Sequence, residues 1–102
     1  MVSPWVTFNQ NSRSFQSNSS KDVVDAGVLK LWSDAFMGDA KIDEYNDPLS
    51  AEPQWWENTP VEKICFTGGA DELFADDISA FAKKLKVGTP FDKVCATCET
   101  LC

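Results

Sequence analysis

Apolar residues enter this chain in runs of different period, separated by stretches with no period at all. The first such stretch, residues 6–20, is polar. Asn9, Gln10, Asn11, Ser12, Ser14, Ser17, Asn18, Ser19 and Ser20 bond readily to nearby backbone and oppose regular structure. A loop is expected there, with Phe8 and Phe15 anchoring it on a neighbouring core. Over residues 21–37 the pattern changes. Val24, Val28, Leu31, Trp32, Ala35 and Phe36 recur at helical spacing and make one apolar stripe, which predicts a helix packed into the core by that face. Ser19 with Asp22 forms a capping pair at its start, and Gly38 is placed to end it in the left-handed conformation. Gly27 inside the helix costs ~1 kcal/mol relative to alanine.

Residues 39–60 read as a long, irregular, acidic loop interrupted by Pro48, Pro53 and Pro60, each of which restricts the residue before it. The adjacent Trp55 and Trp56 are expected to dock into a groove of the same molecule rather than to form a partner contact. Residues 61–67 (V-E-K-I-C-F-T) predict a short strand. Its run Ile64, Cys65, Phe66 suits an interior strand covered on both faces, as in a parallel sheet. Gly68 and Gly69 are expected to break it. A second helix starts at Asp76 and Asp77, with Ile78, Phe81, Ala82 and Leu85 on one face. Its acids sit at the N-terminal end and Lys83, Lys84 and Lys86 at the other, which complements the helix dipole. Gly88 and Pro90 stop it, and a further short strand falls over residues 91–96. Strand, glycine turn and helix are half of a βαβ unit. One or two parallel strands do not make an independently stable sheet, so a partial α/β fold is expected.

Composition restricts the function. The 102 residues suffice for one small domain or a piece of a larger one, here read as a single partial domain over residues 1–102. A chain of this size buries roughly two-thirds of its unfolded surface. Nine basic against sixteen acidic residues give a formal charge of -7, which argues against a nucleic-acid partner. No apolar run is long enough to span a bilayer. Met1-Val2-Ser3-Pro4-Trp5 lacks the basic and apolar regions of a signal peptide, which points by default to the cytoplasm. Histidine is absent, so a complete Ser-His-acid or Cys-His catalytic set is not encoded here.

The segment Thr67-Gly68-Gly69-Ala70-Asp71-Glu72-Leu73 lies just beyond the carboxyl end of the predicted strand, where open α/β sheets carry their functional groups. Asp71 would project from that turn, either as an ordinary turn or capping residue or as a carboxylate able to orient a histidine. Taken in order, Ser3-Pro4-Trp5-Val6, Tyr45 with Pro48-Leu49-Ser50-Ala51, Trp55-Trp56, and the 67–73 segment followed by Asp76-Asp77-Ile78 resemble the C-terminal third of the α/β-hydrolase fold-3 proteins, the hormone-sensitive-lipase-like esterases and lipases. The resemblance covers roughly residues 2–94. It implies a partial α/β-hydrolase fold whose parent reaction is hydrolysis of a small-molecule carboxylic ester through an acyl-enzyme. It also implies that Asp71 is the triad acid, with Glu72 the neighbour most easily confused with it. Asp47, in Asp47-Pro48-Leu49, mimics the family's acid motif but follows no predicted strand and is assigned to the loop. The 21–37 stripe would line an acyl pocket in such an esterase, although core packing is the simpler expectation.

The departures from the family are specific. Neither the Gly-x-Ser-x-Gly nucleophile elbow nor the oxyanion-hole glycines occur, and no histidine follows Lys93-Val94. Residues 95–102 form instead a divergent tail with Cys95, Cys98 and Cys102. With Cys65 these could be free thiols, a four-sulfur metal site, or a disulfide or redox pair, free thiols being the simplest. The resemblance implies no cofactor and no metal. A non-enzymatic interaction module, pairing through an open sheet edge with the missing part of a hydrolase or with itself, is the first alternative to an esterase fragment, and a small cysteine-based metal-binding protein is the second.

Overall fold

The computed structural model describes residues 1–89 and 94–99. Its centre is β1 (Ile64–Gly69), which pairs in parallel with β2 (Val94–Glu99), Ile64 facing Val94 and Gly69 facing Glu99. On the other edge of β1 the first residues of the chain form one parallel bridge, Val2 to Thr67. The Met1 amino group donates to the Cys65 carbonyl (2.6 Å), Thr67 N–H to the Met1 carbonyl (2.9 Å) and Ser3 N–H to the Thr67 carbonyl (2.7 Å). The predicted strand is thus present, shifted towards its C-terminus and running through both glycines. Those glycines do not break it, because Gly68 serves close packing: a Cβ there would come within 2.8 Å of Ile78 Cδ1. The expected strand over 91–96 corresponds to β2, with residues 91–93 outside the described residues.

The helix α3 (Ala75–Gly88) leaves β1, lies across the sheet and leads to β2, completing the βαβ unit. Ile78, Phe81, Ala82 and Leu85 are buried as their spacing predicts, and with Val6 and Phe66 they form the main core. Leu49, Trp56, Ile64 and Phe74 pack against it. Only one face of β1 is covered, however. Phe66 is buried beneath α3, while Cys65 and Thr67, on the alternate face, are exposed. The apolar run Ile64, Cys65, Phe66 is therefore not an interior segment in this chain.

A second, smaller cluster joins Phe15, Leu29 and Leu73, with Trp5, Val24, Ala26 and Phe74 against it. Phe74 touches both cores, its ring stacking on Trp5 at 5.8 Å and tilting against Phe15 at 6.1 Å. Phe15 comes from α1 (Arg13–Ser17), a short helix where the sequence predicts only loop. The long predicted helix is shorter than expected: α2 spans Ala26–Met37 and is capped by Asp25, whose carboxylate accepts from Gly27 N–H. Asp22 is not free to cap, since it accepts from Val24 N–H (3.1 Å) and reaches across to Leu73 N–H (2.8 Å). Gly38 ends α2 with positive φ (+53°), but its ψ of -122° is not that of the left-handed helix.

The facing of α2 is the largest departure from expectation. Leu29 and Ser33 are its buried residues, while Leu31, Trp32 and Phe36 are 68%, 55% and 69% exposed. The stripe expected in the core lies outside because the available cluster, Phe15 and Leu73, meets the helix at Leu29. The tryptophan pair is also divided. Both belong to a 3-10 turn (Pro53–Trp56), where Trp56 packs edge-on against Phe81 at 5.4 Å and Trp55 stays exposed against Tyr45. A second 3-10 turn (Pro48–Ser50) precedes it. Among the described residues no helix is long and apolar enough to cross a membrane.

Candidate active-site turn

Residues 70–74 form the turn between the carboxyl end of β1 and α3. The polar segment 12–22 fixes its backbone. Asn18 donates through its amide nitrogen to the carbonyls of Ala70 (2.9 Å) and Glu72 (2.7 Å), and the buried Ser14 hydroxyl donates to the Leu73 carbonyl (2.6 Å). Asp22 holds Leu73 N–H, as above. Ser14 also acts on α3 itself: its hydroxyl accepts from Asp76 N–H (3.2 Å), while its own N–H donates to Asp76 Oδ2 (2.9 Å). Phe74, at the N-cap position, supplies no side-chain acceptor, so the helix start is capped from α1. Fixing a turn with buried hydrogen bonds at several carbonyls makes its geometry rigid, which a site needs more than stability.

The two carboxylates of the turn have opposite surroundings. Asp71 is half-exposed and lies 3.7 Å from the Lys21 ammonium, a solvent-facing pair worth little energetically. Glu72 points toward the start of the chain. Its Oε1 accepts from the Ser3 hydroxyl at 2.6 Å, and its Oε2 is buried with no hydrogen-bond partner. A buried acceptor without a donor is costly, so an oxygen held this way is suited to receive an N–H from outside the described residues. The sequence singles out Asp71 by its place after the strand. It does not reveal that the shielded carboxylate is the next residue, since both share one turn.

Asp47 sits in the loop ahead of the 3-10 turn at Pro48, as expected. Its Oδ2 accepts from the Thr7 hydroxyl and from Phe8 N–H, both at 3.0 Å, tying the N-terminal segment to the loop. Cys65 is exposed on β1, and in the strand register Cys95 stands opposite Cys65 and Cys98 opposite Gly68. Cys102 lies outside the described residues. Among the described residues no three or more of His, Cys, Asp and Glu converge as a metal cluster.

No protein-family model matches this chain. No curated protein matches it either. Among solved structures it is similar to the esterase rPPE, in a crystal structure of a mutant complexed with (S)-Ac-CPA. The TM-score is 0.79 at 19% sequence identity, over 97% of this chain and 30% of that chain. At that identity the likeness defines the fold. The protein has a hydrolase-like α/β fold and spans less than a third of the esterase's length.

Proposed function

We propose that this chain is the C-terminal portion of a serine carboxylic-ester hydrolase of the hormone-sensitive-lipase-like type, contributing the triad acid from the 70–74 turn. The observation that carries this reading is a carboxylate pair just beyond a parallel strand, in a chain similar over 97% of its length to part of an esterase. In such a site a serine attacks the ester carbonyl while a histidine takes its proton, and the histidine passes that proton to the departing alcohol as the ester C–O bond breaks. The acid holds the other ring N–H and stabilises the imidazolium, and water then releases the acyl group. Neither the serine elbow nor a histidine is in this sequence, so the chain by itself is expected not to hydrolyse esters through a triad. Its substrate, by this reading, is a small-molecule ester, and the reaction takes no cofactor.

Asp71 is the acid to which the motif points. The side-chain surroundings favour Glu72, with one oxygen fixed by Ser3 and the other shielded and open to a donor, while Asp71 faces solvent and Lys21. The test is ester hydrolysis by the longer protein that joins this segment to a nucleophile serine and a histidine. Glu72→Gln should lower kcat by about 10³–10⁴-fold and Asp71→Asn by less than about 10-fold. The opposite ranking assigns the role to Asp71, and absence of esterase activity in that protein rejects the reading. The exposed α2 stripe favours one alternative, an interaction module that buries Leu31, Trp32 and Phe36 against a partner.

A further inference from the structure

Among the described residues, four buried side-chain atoms lack a hydrogen-bond partner, and two of them are carboxylate oxygens of residues that line one cavity: Asp47 Oδ1 and Asp77 Oδ2. The cavity is about 410 Å³ in volume and lies away from the 70–74 turn, between the segment 7–12, the 42–50 loop and the first turn of α3. Asp47 is 3% exposed and Asp77 7%. Thr7, Asn9, Ser12 and Ser50 add hydroxyl and amide groups to the lining, and none of the described lining residues is a lysine or an arginine. The partners that the carboxylates do have leave these oxygens untouched. Asp47 uses Oδ2 for Thr7 and Phe8, and Asp77 takes one hydrogen bond from Ser12.

Two buried carboxylates lining one cavity, without a cationic side chain among its described lining residues, would carry several kcal/mol of uncompensated charge. Either a proton or a cation must relieve it. The donor set distinguishes which cation: it is all oxygen and contributed by two loop segments and the first turn of α3, and the cavity leaves room for retained waters. These are the preferences of a hard divalent ion with flexible coordination. We propose that Asp47 and Asp77 form a divalent-cation site with calcium as its best-fitting occupant. The ion would bridge the N-terminal segment, the 42–50 loop and α3, fastening the loop across the start of the helix.

The test uses the full chain, freed of metal with a chelator and titrated with calcium chloride at pH 7.5. Melting temperature and titration calorimetry are the readouts, with magnesium and sodium chloride as parallel arms. A saturable rise in melting temperature with calcium, weakened at least about 10-fold in affinity by Asp77→Asn, supports the site. Asp47→Asn is the poorer probe because it also breaks the Thr7 and Phe8 hydrogen bonds. Asp77→Asn removes only the charge and keeps a group able to accept from Ser12. No response to calcium up to about 10 mM overturns the proposal, as does an equal response in Asp77→Asn. If Asp77→Asn stabilises the protein while calcium does nothing, a proton rather than a metal relieves the pair, and the proposal fails.

Discussion

Individual side chains in this protein are set by what lies within a few ångströms of them, and Asp77 is the clearest case. Burial pushes its carboxyl up from 3.8 to about 6, with Asp76 and Asp47 adding to the rise and the Ser12 hydrogen bond opposing it. A folded-state value above the unfolded one means that the folded protein holds the proton more tightly. The resulting stabilisation is complete below about pH 4 and is lost as pH rises toward 6 and beyond. In metal-free buffer, Asp77→Asn should therefore raise the melting temperature by a few degrees at pH 7.5 and leave it nearly unchanged at pH 4; thermal melts across that range check it. Gly88 makes a different demand on its surroundings. A Cβ there would overlap the Pro53 carbonyl oxygen, a backbone atom that cannot rotate away. Gly88→Ala should cost about 2 kcal/mol or more by parting α3 from the Pro53–Trp56 turn, measured as a lower urea midpoint.

At the scale of elements, the sequence pattern located the helices better than it oriented them. The face of α3 was legible because Ile78, Phe81, Ala82 and Leu85 meet the one sheet formed by the described residues. The face of α2 was not, because the cluster that receives the helix, Phe15 with Leu73, meets it at Leu29 and leaves Leu31, Trp32 and Phe36 exposed. Substitution separates the two faces. Leu29→Ala should cost about 2–4 kcal/mol, whereas Leu31→Ser should change stability by less than about 0.5 kcal/mol. The serine- and asparagine-rich stretch before α2 was legible as irregular, but its task was not. Asn18 saturates two carbonyls of the 70–74 turn, so Asn18→Ala should destabilise by about 1–3 kcal/mol and raise hydrogen exchange at residues 71–73.

Over the whole molecule, stability is divided between a larger core under β1 and α3 and a smaller one that holds α2 through Leu29. The radius of gyration, 14.0 Å, exceeds the roughly 13 Å of a compact chain this long, in keeping with a flat body 18 Å through its thinnest direction. Amides of α2 should exchange at least about 10-fold faster than those of the buried turns of α3, a comparison that native-state hydrogen exchange makes directly. The strand–turn–helix half of the βαβ unit, the buried face of α3, the acidic turn after β1 and the loop position of Asp47 were legible without the fold, because local period and turn chemistry are short-range properties. Long-range packing set the rest: Glu72 is shielded and Asp71 is not, Asp47 and Asp77 share a cavity, and the α2 stripe faces outward. Those outcomes depend on which distant segments arrive beside a residue, and residue 3, residues 7–12 and residue 47 reach their partners only when the chain closes on itself.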